Sequence, residues 1–337
     1  MNILSTAMHK IDSINNAIET VKLENTDISD YVGELLKEIF VNKNYKHYKA
    51  RSNTSEVTSS IFKCVKEVTL LQECTEAIAK KYLKSEFDTR TRYSHLKYQI
   101  REGHLIQVML YDRDKLYYFI SKVELDPFLS GESYKKLLGY PYKRGALKTC
   151  LYEFEDKTQD IDNIYVVDKS DTEYWKDLFL DLIPCSTNEA ATKDLFNLID
   201  KKIATNTKNS LNDYYNLRNQ LVSYFNQPRE FTYDNMIDAI FNNYIPSLPE
   251  KVSIKNIIRD VDNGIKNKEY DTAFTIVPQV LKNKFKRIIK ANDFINIQII
   301  GESDNFKNAI HSYKENGKMY VAIETDDEQV YRSFLRK

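Results

Sequence analysis

The spacing of apolar residues changes along the chain, and this change constrains the fold more than any single motif. Up to residue 168 the sequence contains short apolar runs, such as residues 104–111 and 115–124, which the polar turn DRDK separates. Runs of this length that end in turn residues are typical of β-strands. From residue 172 to about 268, apolar positions recur at intervals of three and four, which predicts several consecutive helices. We therefore predict an α+β chain.

The first part of the chain is predicted to form a sheet flanked by helices. Besides the two runs above, the predicted strands are residues 2–11, 16–25, 146–154 and 162–168. The predicted helices are residues 27–41, 54–66 and 72–86. The pair 104–111 and 115–124 is predicted to form a β-hairpin.

Two domains are expected, because 337 residues exceed one ordinary core and 42% hydrophobic residues can build both. Polar residues around Pro184 separate an acidic helix, predicted from residue 172, from the next helix. We place an N-terminal α+β domain at 1–186 and a mainly helical domain at 187–337, which ends in strands and a small β-hairpin. Asn316-Gly317 predicts the turn of that hairpin, since both turn positions need positive φ.

Several function classes lack their signatures. No signal peptide and no long apolar run is visible, so we expect a soluble cytoplasmic protein with no membrane partner. The four cysteines are widely spaced without a Cys-x-x-Cys pair, which favours reduced, buried thiols over a metal site. Phosphate-binding glycine loops, H-E-x-x-H and Gly-x-Ser-x-Gly are also missing. The sequence therefore predicts no enzyme, no catalytic residue, no metal and no cofactor.

Charge is balanced overall but unevenly placed. The chain has 49 basic and 49 acidic residues, yet 31–51, 80–101 and 127–150 are each basic. Residues 151–181 hold ten Asp/Glu against three Lys. Such blocks can form opposing surface patches, or they can pair with each other.

The most concentrated charge is the segment LKNKFKRIIK at 281–290. We predict one helix there, with an apolar stripe and a cationic face. Its cations, Lys282, Lys284, Lys286, Arg287 and Lys290, are the first candidates for phosphate contacts. If all five met phosphates on duplex DNA, log K would fall with log[salt] at a slope of about −4.5. The alternative is an ordinary solvated helix face near a C-terminus.

Three other segments, residues 42–51, 80–97 and 140–148, add candidate DNA contacts. In NKNYKHYKAR at 42–51, cations alternate with aromatic residues, a pattern that suits stacking and backbone neutralisation together. The candidates in these segments are Lys43, Lys46, Lys49, Arg51, Arg90, Arg92, Lys143 and Arg144. They form one site only if the fold brings them to a shared face. Each segment can equally be an ordinary charged surface.

Two alternative functions remain open. In the first, the acidic block at 151–181 is the working surface of a protein-interaction subunit that binds a DNA-associated partner. In the second, Glu155, Asp156 and Lys157 with Asp126 imitate an Mg²⁺-dependent nuclease site, in which carboxylates hold the metal. Acid-x-Lys triplets are frequent in a chain with 29% charged residues, so a solvated strand end also explains this motif.

The C-terminal sequence, DFINIQIIGESDNFKNAIHSYKENGKMYVAIETDDEQVYRSFLRK, reads as a strand, a connection, a hairpin and a short helix. This arrangement resembles the C-terminal region of the bacterial 37-kDa nucleoid-associated protein family. The segment EYWKDLFLDLIPCSTNEAATKDLFNLI and the opening MNILSTAMHKI are similar to that family as well. The resemblance covers most of the chain. It lies in the order of the predicted elements and in the general residue pattern, and no short diagnostic motif carries it.

The resemblance implies a cytoplasmic protein of the bacterial nucleoid that binds DNA or DNA-bound partners without an enzymatic step. The clustered Lys and Arg residues independently favour the same function, because they can contact DNA phosphates. We therefore expect a DNA-binding protein of low sequence specificity that contacts the phosphate backbone of double-stranded DNA. A homodimer is a further expected arrangement, because two weak patches raise avidity.

Overall fold

A computed structural model describes residues 1–23, 27–92, 103–142, 148–155, 160–169, 174–285, 287–299 and 309–335. It has the α+β architecture predicted above, with a large antiparallel sheet, a helical region and small hairpins near the C-terminus.

The first part of the chain forms the strands of the large sheet and a small separate hairpin. In chain order these strands are β1 (Asn2–Asp12), β2 (Ala17–Thr20), β3 (Lys46–Ala50), β4 (Gly103–Asp112), β5 (Lys115–Glu124), β6 (Asp126–Leu129), β7 (Lys136–Gly139), β8 (Lys148–Phe154), β9 (Ile161–Asp168) and β10 (Leu182–Pro184). Strands β6 and β7 pair only with each other. The other eight form one sheet in the order β10-β3-β9-β8-β5-β4-β1-β2.

Helices cover both faces of this sheet. They are α1 (Ile28–Phe40), α2 (Glu56–Lys66) and α3 (Leu71–Arg92). The apolar stripe of α1 packs against one face, and α2 and α3 pack against the other. Because the central strands β5 and β8 are covered on both sides, nearly all their residues are buried, which explains the continuous apolar run LYYFI in β5.

The acidic helix predicted from residue 172 is wrong in part. Residues Tyr174–Phe179 form one π-helical turn, which places Trp175 in the core. Asp181 then has a positive φ of 53°, and β10 pairs antiparallel with β3. The open edge of β3 supplies backbone partners that outweigh the local helical spacing.

The helical region contains α4 (Asn188–Asn206), α5 (Leu211–Phe225), α6 (Tyr233–Ile237), α7 (Ile254–Lys268) and α8 (Lys282–Phe285). Helix α4 begins after Thr187, whose hydroxyl accepts the Ala190 N–H at 3.3 Å. Two short strands, β11 (Glu230–Phe231) and β12 (Phe274–Thr275), pair beside these helices. This region has a hydrophobic core of its own, which runs from Ala191 to Leu281.

The single helix predicted at 281–290 is wrong. Among the described residues of this segment, Leu281 ends a 3-10 helix and Lys282–Phe285 is α-helical, while Arg287–Lys290 forms the strand β13, which pairs with β14 (Asn296–Ile299). Two adjacent isoleucines follow Arg287, and β-branched residues favour a strand where a partner strand is available. The described residues therefore do not form one continuous helix over 281–290.

The C-terminal hairpin is confirmed. Strands β15 (Ile310–Glu315) and β16 (Lys318–Ile323) are joined through Asn316 and Gly317, which have φ of 50° and 79°. The chain then forms the short helix α9 (Glu328–Ser333).

Candidate functional site

The lysines of α8 are exposed on a short helix that is anchored at both ends. Leu281 is fully buried in the helical core, and the Phe285 ring lies 5.9 Å from the Phe196 ring. The Lys284 carbonyl oxygen accepts a hydrogen bond of 2.6 Å from the Arg218 guanidinium. These contacts anchor the backbone of α8 and leave the Lys282 and Lys284 side chains exposed at the surface.

Few negative charges oppose these two lysines. In the part of the chain that the structure describes, no carboxylate oxygen lies within 4.0 Å of the Lys282 or Lys284 ammonium nitrogen. The nearby Asp200 is paired with Arg218 at 3.3 Å. Burial raises the pKa of Asp200, while Arg218 and Lys284 act in the opposite direction. The α8 surface therefore presents positive charge.

The other three cations of the segment 281–290 come after the end of α8 in the sequence. The backbone of Arg287 and Lys290 forms part of strand β13. Lys286 lies outside the described residues.

Two of the four candidate cations in the segment 42–51 form ion pairs with carboxylates of this chain. Lys43 is half-buried, lies 2.7 Å from an oxygen of Asp262, and stands over the Tyr233 ring at 4.3 Å. Arg51 pairs with Asp181 at 2.9 Å. Lys43 therefore joins the sheet to the helical region, and Arg51 joins β3 to the turn before β10.

The other two cations of this segment differ from these. Lys49 is exposed at the surface, and Lys46 is half-buried. Of these two, only Lys49 therefore has the exposure that a phosphate contact needs.

Candidates from the two other basic segments are dispersed. The half-buried Arg90 donates to the Ser13 hydroxyl at 3.0 Å, while Arg92 is exposed at the end of α3. Lys143 and Arg144 lie outside the described residues. No shared face of all four segments can be traced through the described ranges.

Carboxylates of the acidic block form ion pairs with cations elsewhere in the chain, and two of these cations, Arg51 and Lys148, belong to the basic segments. The recorded pairs are Glu153 and Asp162 with Lys115, Asp168 with Lys148, and Asp177 and Asp181 with Arg51. These ion pairs neutralise part of the charge of the acidic block, which removes part of the acidic surface that a basic partner would need.

The nuclease alternative has no built metal site among the described residues. They contain no group of three or more His, Cys, Asp or Glu side chains that could hold a metal ion. Glu155 follows β8 and Asp126 begins β6, but Asp156 and Lys157 lie outside the described residues.

A cavity of about 570 Å³ lies where the sheet meets the helical region. It is lined by the C-terminal end of α1, the β4–β5 turn, residues of β8 and β9, and Lys266 near the end of α7. Two hydrogen bonds from backbone N–H groups fix this junction. The Thr272 N–H donates to the Tyr45 carbonyl oxygen at 3.0 Å, and the His47 N–H donates to the Asp271 carboxylate at 2.7 Å.

Sequence reasoning missed this cavity because its lining residues are far apart along the chain. One signal was present in the turn DRDK, which the sequence analysis treated only as a connection. Arg113 and Asp114 both have positive φ, 50° and 64°, as the tight turn requires. This turn places Arg113 at the mouth of the cavity, where its side chain is 91% exposed.

Comparison with protein-family models and with curated proteins finds no match. No helix among the described residues is long and apolar enough to cross a membrane.

Proposed function

We propose that this chain is a DNA-binding protein of low sequence specificity that contacts the phosphate backbone through α8 and the segment after it. The observation that carries the proposal is the exposed pair Lys282 and Lys284, anchored on the helical core without a carboxylate within ion-pair distance among the described residues. The resemblance to the 37-kDa nucleoid-associated protein family supports the same function.

The chemistry of α8 suits backbone contacts rather than base recognition. A lysine ammonium is a compact charge on a flexible stem, and it attracts phosphate oxygens without selecting a base. Each phosphate that a lysine neutralises releases condensed counterions from the duplex. The sequence shows no recognisable base-reading module, so binding is proposed to follow DNA charge and to be strongly salt-dependent.

The proposal extends to the nucleoid and to assembly. Two exposed lysines give a weak patch, and a homodimer that presents two such patches would bind one duplex with higher avidity. Double-stranded DNA is the proposed partner. The acidic block does not favour a second candidate function, because several of its carboxylates already pair with Lys115, Lys148 and Arg51.

Fluorescence anisotropy with a labelled duplex of mixed sequence tests the proposal. The variant Lys282→Gln/Lys284→Gln should bind about 30-fold more weakly at physiological salt, since each lost phosphate contact removes about 1 kcal/mol. The matched control is Lys251→Gln/Lys255→Gln, which removes two exposed lysines of the same helical region. Equal affinity of both variants for DNA would contradict the proposed contact.

A further inference from the structure

The cavity between the sheet and the helical region has the size of a small-molecule site. Its volume of about 570 Å³ lies within the range of roughly 300–1,000 Å³ that ligand pockets occupy. Its walls come from both parts of the fold, from Phe40 on α1 to Lys266 on α7. Such sites occur preferentially where two structural units meet.

Positive charge predominates in the lining. Five lining residues carry a positive charge and two carry a carboxylate. The cations are Lys37, Lys43, Arg113, Lys115 and Lys266, and the acids are Asp112 and Glu153. The buried Glu153 accepts from the Lys115 ammonium and, at 2.7 Å, from the Tyr165 hydroxyl, so its charge is largely neutralised in place.

Three of these five cations already have a carboxylate partner, and two, Lys266 and Arg113, remain for a ligand. The paired cations are Lys37 with Glu34, Lys43 with Asp262 and Lys115 with Glu153. Lys266 is exposed, and no carboxylate within 4.0 Å of its ammonium is found among the described residues. Arg113 is nearly fully exposed, and its Nε lies 3.9 Å from Asp112. Lys266 and Arg113 therefore offer an ammonium and a guanidinium to an incoming anion.

Aromatic rings form one part of the cavity wall. The Phe40 and Tyr117 rings meet edge to face at 5.6 Å, and those of Tyr45 and Tyr165 meet at 5.0 Å. Burial raises the pKa of Tyr45 and Tyr117 to about 12, further above pH 7 than that of an ordinary tyrosine, and the neutral hydroxyls add no negative charge to the cavity. Aromatic side chains of this kind can stack against a planar base.

We propose that this cavity binds a nucleoside monophosphate, with the phosphate held by Arg113 and Lys266 and the base packed against the aromatic wall beside Phe40. Cations alone would suit any small anion, and aromatic rings alone would suit any planar apolar group. Their combination in one cavity of this size selects a ligand that has both parts. The inference does not rest on the proposed DNA binding, which uses the separate α8 surface.

Isothermal titration calorimetry on the full chain tests the inference. The ligands are AMP, GMP, CMP and UMP, with adenosine and inorganic phosphate as the two halves of AMP. At least one monophosphate should give saturable binding, and adenosine and phosphate should each bind at least about tenfold more weakly, because each makes only part of the contacts. The absence of saturable binding of all four monophosphates at millimolar concentration would overturn the inference.

Variants test the proposed phosphate contacts and the proposed base contact separately. Arg113→Gln/Lys266→Gln should weaken monophosphate binding at least about tenfold, since hydrogen bonds to charged groups are lost. Lys255→Gln, an exposed lysine on α7 outside the lining, is the matched control. Phe40→Ala should weaken monophosphate binding several-fold and leave phosphate binding unchanged. Unchanged monophosphate affinity in the double variant or in Phe40→Ala would overturn the proposed geometry.

A single variant keeps the test decisive if the double variant does not fold. Lys266→Gln changes one exposed side chain of α7 and should still weaken monophosphate binding severalfold. Its unfolding midpoint should match that of Lys255→Gln. Wild-type affinity in folded Lys266→Gln would overturn the role given to this lysine.

Discussion

We expect Lys122→Met to destabilise the sheet strongly, because it breaks a buried ion pair between β5 and α3. Lys122 Nζ lies 2.5 Å from Glu86 Oε1, and the two side chains are 4% and 2% exposed. The variant leaves the Glu86 carboxylate buried with the Tyr82 hydroxyl as a donor at 2.5 Å. Removing one partner of a buried pair costs about 3–5 kcal/mol. The midpoint of thermal unfolding should fall by about 10 °C.

A second variant isolates the uncompensated charge as the cause. Lys122→Met/Glu86→Leu removes both charges and should recover most of the lost stability, because an apolar pair can replace a buried ion pair at little cost. Lys63→Met, at an exposed position on α2, is the control for the substitution itself.

Urea unfolding gives the free energies, and the fluorescence of Trp175 is a suitable probe. This tryptophan is fully buried, and its ring lies 5.7 Å from that of Tyr82. A loss of less than about 1 kcal/mol in Lys122→Met, the range of an exposed pair, would refute the reasoning.

Three further predictions concern other parts of the fold. Gly103→Ala should lower stability by about 1–3 kcal/mol, because the new Cβ would clash with the Val123 carbonyl oxygen on the paired strand; an unchanged melting temperature would contradict this. Burial raises the pKa of Asp213, but hydrogen bonds, first that from the Ser210 hydroxyl, outweigh it and hold the pKa at about 2. Asp213 thus contributes about 2 kcal/mol above about pH 4 that is lost as pH falls towards 2. Asp213→Asn should remove this pH dependence in urea unfolding, and an identical pH profile would argue against it. Deleting residues 287–337 should leave the main thermal transition in place, since no side chain described there is buried, and a large drop in its midpoint would show otherwise.

Much of the architecture could be predicted from local pattern. The hairpin of β4 and β5 and the helix α1 were predicted within one or two residues of their observed ends. The turn at Asn316 and Gly317 was predicted as well, because positive φ leaves few residue types to choose from. In each of these elements, local preference and tertiary packing favour the same structure.

The errors occur where pairing with another strand decides the structure. Residues 182–184 have helical neighbours in sequence, but the open edge of β3 makes them a strand. Residues 287–290 continue a helical spacing, but pairing with β14 makes them a strand as well. In both places the pairing with another strand determines the structure, and the local spacing of apolar residues does not reveal that pairing.

The candidate site was predicted least well, because charge in a sequence does not reveal which charges are paired. Lys43 and Arg51 looked alike as free cations, yet each meets a carboxylate that is distant in the chain. Lys266 and Arg113 lie outside all the basic segments, yet they line one cavity. Pairing and shared cavities depend on the three-dimensional contacts alone.

The salt dependence of DNA binding tests the central claim most directly. Each lysine that contacts a phosphate contributes about −0.9 to the slope of log K against log[salt] on duplex DNA. Loss of Lys282 and Lys284 should therefore make the slope shallower by about 1.8, while Lys251→Gln/Lys255→Gln leaves it unchanged. The same slope for wild type and Lys282→Gln/Lys284→Gln would contradict the claim that α8 contacts the DNA backbone.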